Sequence, residues 1–330
     1  MTVTRLIIQS ICLMALFGAS SQSLAWDATS HRLTAYVAWE ALTPTQRNKL
    51  SSIVEKHPRY QSDFLDAMPA NIMLASEQEQ ARWMFGQAAI WPDMTRSFEG
   101  DDLIRYNRPT WHYIDGAWIR GEAQQGNVYV GADPLPSIHG ESTGPIEHEA
   151  DVSNVVEGIE FNLAVLENPL STGRERAIAL SWVLHLIGDI HQPLHSGALV
   201  SSELFATGDR GGNGIVTQSG NLHARWDGAL RNQPFEDTLR RMNSFVRQSN
   251  IADIDMHVDT WLQESRQIMY EFVYPDEIKA AVLRSERLGT RLSEFALDDD
   301  YASEMQAISE DRVTLAGIRL SIALRQVLGN

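Results

Sequence analysis

Apolar positions recur at helical spacing through most of the chain. Between residues 30 and 42, Leu33, Tyr36, Val37 and Ala41 lie three or four apart, predicting an amphipathic helix with His31 in its first turn. Thr43-Pro44-Thr45-Gln46 has the form of a capping box with proline at the first helical position, opening a second helix to about Lys56. A third helix is predicted over 71–90, and Pro92 should stop it, leaving Trp91, Asp93 and Arg96 in the loop that follows. Residues 101–145 break the pattern. Within them 111–115 and 127–130 read as short strands or extended loop, and the Gly, Pro and Ser content of 131–145 predicts a short irregular or β-hairpin excursion. Helical periodicity returns over about 146–167, Ser171 is placed to cap the next helix, and 234–328 reads as three or four more, the last with Leu315, Ile318 and Ile322 on one face. No repeat, low-complexity tract or linker divides the chain, so the pattern predicts an all-α fold, a single mainly helical domain over residues 26–330.

One predicted helix differs from the rest. From 177 to 190 nearly every residue is apolar, yet Ser181, His185 and Asp189 interrupt the run at a spacing of four and so share one face. A helix that is apolar all round is normally buried, and an imidazole and a carboxylate on its one polar stripe need partners to offset their desolvation. A metal ion would satisfy both. The run continues into Gln192, Pro193 and His195, and the His-x-x-x-Asp spacing returns in Asn221-Leu-His223-Ala-Arg-Trp226-Asp227, beyond a turn-rich loop over 208–214.

Composition narrows the chemistry. With 330 residues and 43% hydrophobic content the chain can bury a substantial core. Arg5 precedes an apolar run over 6–17, and Ser23-Leu24-Ala25 offers small residues to a signal peptidase, so residues 1–25 read as a cleaved secretory signal peptide. Gln9 and Ser10 interrupt the run, which is too short to span a membrane comfortably. The expectation is a periplasmic or secreted protein beginning at Trp26, without membrane association. The one cysteine, Cys12, lies inside that segment and far from its cleavage site, which leaves the mature chain without disulfides or thiolate ligands. The formal net charge is −16, and removing residues 1–25 takes away one further arginine. Such a chain has no global basic footprint for duplex nucleic acid unless bound cations reverse the sign locally.

Without thiolates, His and Asp are the ligands zinc accepts. The candidates are His31, Asp93, His112, His185, Asp189, His195, His223 and Asp227, and Trp26 joins them if cleavage frees its amine, because that nitrogen and its own carbonyl oxygen can chelate an ion. Each has a plainer reading. A single His-x-x-x-Asp is usually a local side-chain pair, Asp93 after Pro92 a turn residue, His112 a core histidine, and Asp209 with Arg210 a loop ion pair. Jointly the pattern is harder to dismiss.

The order Trp26-x4-His31, Trp91-Pro-Asp93, Trp111-His112-Tyr-Ile-Asp115, His185-Leu-Ile-Gly-Asp189-Ile-His-Gln-Pro-Leu-His195, Asp209-Arg-Gly-Gly-Asn213 and Asn221-Leu-His223-x3-Asp227 resembles the trinuclear-zinc nuclease family, which contains the fungal single-strand-specific and the plant bifunctional nucleases. The resemblance covers about 26–227 and implies the phospholipase C/nuclease-like helical fold and three zinc ions. It implies that Asp93, His112 and His185 hold one ion, that Trp26 and His31 hold a second, that Asp189 bridges these two, and that His195, His223 and Asp227 hold a third. Asp115 would orient the attacking water, Arg96 would stabilise charge on the phosphate, and Tyr113 would stack on a base. The implied substrates are single-stranded DNA and RNA, cleaved to 5′-phosphate products, and 3′-nucleotides; no stable protein partner is implied. Asp27 departs from the family, where a small residue usually follows the terminal Trp. Disulfides and an Asn-x-Ser/Thr sequon are also lacking, which points to a bacterial periplasmic or secreted member.

Zinc-dependent phospholipases C are similar to the same scaffold, but they set their N-terminal Trp further from the first His and end the last ligand pair in Glu; here the gap is five positions and the last residue is Asp227. A di-iron bundle would need Glu-x-x-His, which precedes none of the ten histidines.

Overall fold

The computed structural model describes residues 26–114, 129–131 and 148–329, and they form a helical assembly around one large apolar core. Helix α1 (Ala28–Ala41) starts at Asp27, whose Oδ1 accepts the Ser30 N–H at 3.1 Å. Helix α2 (Pro44–Val54) opens with the capping box expected at Thr43 and Gln46. After a π-helical turn (Tyr60–Leu65) and the short α3 (Ala70–Met73) comes α4 (Glu77–Met94). The expected stop at Pro92 does not occur, and Asp93 lies inside the helix, with Arg96 in the 3-10 turn Thr95–Ser97. A proline this near a helix end removes one N–H without interrupting a long ladder, and here the Thr95 hydroxyl donates back to the Pro92 carbonyl at 2.6 Å.

Helix α5 (Gly100–Tyr106) precedes a second departure, since Trp111 and His112 sit in a 3-10 turn (Pro109–His112) opened by Pro109, not in a strand. The extended stretch near 127–130 does yield strand β1 (Tyr129–Gly131), whose antiparallel partner is the distant β2 (Ala198–Val200). A two-residue hairpin, β3 (Val216–Thr217) and β4 (Gly220–Asn221), leads into the second His/Asp segment.

Helix α6 (Val155–Glu167) packs along α7 (Gly173–Asp189), the apolar helix of the sequence. Its cap is Thr172, whose Glu175 completes a capping box, one residue beyond the expected Ser171. From Ala179 to Asp189 every residue is buried, as its all-round apolarity requires. Helix α8 (Leu222–Asp227) follows, then α9 (Phe235–Gln248), α10 (Val258–Ile268), α11 (Asp276–Leu288) and α12 (Asp299–Leu328), four helices where three or four were expected of the tail. α12 lies chiefly against α1, and α4 against both α1 and α7. A second apolar cluster, including Leu194, Leu222, Trp226, Val273 and Tyr274, underlies α8. Among the described residues no helix is long and apolar enough to cross a membrane.

Candidate metal centre

The polar stripe of α7 becomes the middle of a buried cluster. His185 Nδ1–H donates to the Ala89 carbonyl of α4 at 2.8 Å, in the turn that Pro92 leaves one N–H short. That bond turns Nε2 inward, 3.2 Å from Asp189 Oδ2, 3.0 Å from His112 Nδ1 and 3.8 Å from Asp93 Oδ1. The His31 ring stacks on His185 with centroids 3.8 Å apart and brings Nε2 to 3.4 Å from Asp189 Oδ1. Gly188 makes room for it, since a Cβ there would sit 2.9 Å from His31 Nδ1. The wholly buried Trp26 is held by its indole N–H on the Gly188 carbonyl, 2.9 Å away, and by the next amide, Asp27 N–H, on the Asp227 carbonyl at 3.1 Å.

The second His/Asp pair meets His195 beside this cluster. His195, in the 3-10 turn Pro193–His195, donates Nδ1–H to the His112 carbonyl, and His223 donates Nδ1–H to the Gly211 carbonyl at 2.6 Å. Their rings stack 5.1 Å apart, with His223 Nε2 3.4 Å from Asp227 Oδ2, while Gln192 Nε2–H donates to Asp227 Oδ1 at 2.8 Å. Three sets of donors result: His31, His185 and Asp189; Asp93, His112 and His185; and His195, His223 and Asp227. Within each, one atom per residue lies within 4.8 Å of the others.

The buried charged and titratable groups of this arrangement shift one another. Burial and the neighbouring His185 push His31 down, and burial takes His112 down to about 4. Burial opposes protonation of His185 as well, but the Asp189 and Asp93 carboxylates outweigh it and raise that imidazole. Asp189 is held well below the usual carboxylate range because His185 and His195 outweigh its burial, whereas burial, with Asp93, Asp189 and Asp27 nearby, pushes Asp227 well above it. The histidines already stabilise Asp189 as an anion, whereas Asp227, buried near other carboxylates, would be stabilised as an anion by added positive charge. Buried atoms without a hydrogen bond include His31 Nδ1 and His112 Nε2. Such atoms cluster where a ligand completes them. Backbone carbonyls fix the tautomer of His185, His195 and His223 so that Nε2 carries the lone pair, the usual arrangement around a bound ion. The residues fit divalent metal, and the all-N/O donor set suits zinc.

Other expected residues fall variously. Arg96 Nη2 is 3.2 Å from Asp93 Oδ1. Tyr113, extended and 37% exposed, follows His112 at the surface. Asp115 and His139 lie outside the described residues, as do residues 1–25 and most of the excursion over 121–145. His148 is exposed, whereas His191 is buried, donating Nδ1–H to Ile187 O at 2.7 Å and accepting from Arg319 at 2.8 Å. Asp209 is buried and accepts the Tyr274 hydroxyl at 2.9 Å, while Arg210 is exposed. Sequence reasoning missed the supporting carbonyls, which have no side-chain signal. It also missed Gln192, adjacent to a named motif, and Glu264, Arg312 and Arg319. Arg312 and Arg319 both reach Glu264, at 2.7 and 2.6 Å, and Arg312 Nε–H donates to the His191 carbonyl at 3.2 Å.

A family model described as S1/P1 Nuclease matches residues 26–329. Nuclease S1 of Aspergillus oryzae is 27% identical over 246 residues, covering 67% of this chain and 79% of that protein. Endonuclease 1 of Arabidopsis thaliana is 26% identical over 283 residues, 82% and 84% of the two chains. Endonuclease 4 of the same plant is 31% identical over 162 residues, and that match spans 46% of this chain and 51% of the relative.

Proposed function

The chain belongs to the S1/P1 nuclease family and is a hydrolytic nuclease, and we propose that it cleaves single-stranded DNA and RNA to 5′-phosphate products, and removes the phosphate of 3′-nucleotides, with three zinc ions. The observation that carries this reading is the convergence of three His/Asp donor sets in one buried cluster whose unsatisfied atoms face inward. Asp93, His112 and His185 would hold one ion, His31 and the amine and carbonyl of Trp26 a second, with Asp189 shared between them, and His195, His223 and Asp227 a third. Zinc, when bound, supplies the acidity that ionises water near neutral pH and positive charge opposite a phosphate.

The protein's own groups do the rest. Arg96, on the turn that ends α4, brings a guanidinium beside Asp93 and would carry charge developing on the phosphate. Asp115, three residues after His112, would accept a hydrogen bond from the attacking water and orient it. Tyr113 would offer its exposed ring to an unstacked base, which favours single strands over duplex. Because the chain is strongly acidic, attraction of a polyanion must come from this pocket. Export with cleavage before Trp26, into the periplasm or medium, would free the amine; the burial of Trp26 against Gly188 supports this start.

The test is release of acid-soluble nucleotides from heat-denatured DNA by the mature protein, with and without a chelator. Release that the chelator abolishes and zinc restores supports the reading. A protein shown to carry three zinc ions that releases none refutes the nucleic-acid substrate and directs attention to phospholipid.

A further inference from the structure

The loop over 208–214 carries none of the named donors, yet its backbone holds His223 of the third set and presses on Leu194, the residue before His195. Arg210, Gly211 and Gly212 have φ of 59°, 58° and 82°, three consecutive left-handed residues, one of them not glycine. Such a run is unfavourable on its own and persists only where surroundings impose it. Here they do. A Cβ on Gly211 would lie 2.3 Å from the Leu194 carbonyl, so the loop backbone is pressed against the residue before His195. The Gly211 carbonyl accepts His223 Nδ1–H at 2.6 Å, and the Gly212 carbonyl accepts the His223 amide at 3.4 Å.

What imposes the turn is Asp209. Its Oδ1 accepts the Leu199 amide of β2 and the Gly212 amide, both at 3.0 Å, and its amide donates to the Leu199 carbonyl at 2.8 Å. The carboxylate is in turn gripped by the Tyr274 hydroxyl, 2.9 Å from Oδ2 and 3.1 Å from Oδ1. Tyr274 is 1% exposed, at the end of the π-helical turn Met269–Val273, inside the second apolar cluster. A carboxylate so buried needs each of its donors.

We propose that Tyr274 and Asp209 are positioning residues for the third donor set: they fold the left-handed loop that aims His223 Nε2 and seats His195. This rests on the metal reading above. It assigns a task to the Asp209-Arg-Gly-Gly-Asn213 motif and to a tyrosine far away in sequence.

The test titrates metal-free protein with zinc against a chromogenic chelator. Wild type should show three ions, and Tyr274→Phe, which removes only the hydroxyl, should bind one of them about tenfold or more weakly while the other two keep their affinity. Asp209→Asn should act in the same direction. Deuterium exchange of 208–214 in the metal-free protein should speed up in both variants, a readout independent of any ion. Equal weakening of all three ions would mean a merely structural role and overturn the proposal, as would a Tyr274→Phe protein with unchanged affinities and exchange. A wild type that takes up no third ion overturns the metal reading itself.

Discussion

His57 should make the protein acid-sensitive for reasons unconnected with metal. Its ring lies edge-on to Trp91 at 4.4 Å and near Phe64 at 5.1 Å, Nδ1 accepts the Arg59 amide at 3.2 Å, and Nε2 has no hydrogen bond. Burial, with Arg59 and Arg174 nearby, takes the imidazole from 6.5 down to about 3. The folded protein therefore holds it neutral while the unfolded chain protonates near 6.5. Stability from this group is fully present above pH 6.5 and is lost as pH falls through 6.5 towards 3. A tenfold difference in proton affinity between the folded and unfolded chains is worth about 1.4 kcal/mol, so the whole amounts to roughly 4 to 5 kcal/mol, comparable to a large share of a domain's stability. His57→Asn keeps an acceptor for the Arg59 amide and removes the titration, at a loss of ring packing that does not vary with pH. Urea unfolding of both chelator-treated proteins between pH 7 and 4 should show wild-type stability falling more steeply by about 1.4 kcal/mol for each pH step of one below pH 6. The histidines of the three donor sets are the same in both proteins and cancel in the difference. Parallel curves would refute the reasoning.

Gly188→Ala should displace His31, whose Nδ1 would be 2.9 Å from the new Cβ, and lower the bound zinc measured by atomic emission while far-UV circular dichroism stays unchanged. Asp27→Ala removes the cap of α1 and should cost about 1 kcal/mol in urea unfolding, more than Arg231→Ala, whose pairing to Asp27 is through a side chain 58% exposed. Arg319→Lys cannot reproduce the paired bonds to Glu264 together with the contact to His191, and should lower the midpoint of thermal unfolding by several degrees. A protein retaining a residue before Trp26 should bind less zinc in the same emission assay, because an amide nitrogen does not chelate as an amine does.

Much of the architecture is legible in the sequence because burial leaves a periodic trace. The all-round apolarity of 177–190, broken by His185 and Asp189, gives both the depth of α7 and the position of its chemistry. The departures have local causes. Pro92 reads as the end of a helix, but at the last turn the lost N–H matters little, and the consequence is that Asp93 projects from a rigid helix. Ser171 and Thr172 are both capping residues, and Glu175 three beyond Thr172 is the signal that decides between them. Pro109 likewise marks the 3-10 turn that carries His112. The carbonyls of Ala89, His112 and Gly211 leave no such trace, since any residue has one, and only the packed chain shows which of them meets an imidazole. Tyr274 and Asp209 are 65 positions apart with nothing periodic to connect them.

The reach of α12 into the 190–196 segment bears on the order in which the chain is made. Every donor residue has been synthesised once Asp227 is complete. The carbonyl of His191, though, is held by Arg312, its imidazole by Arg319, and the Ile190 carbonyl by Ser265, which itself bonds Arg312. A chain ending before residue 312 lacks both arginines of this clasp, and one ending before 319 lacks the contact to the His191 imidazole. The segment between two of the donor residues thus takes part of its support from a helix that follows Asp227 by some 70 positions or more.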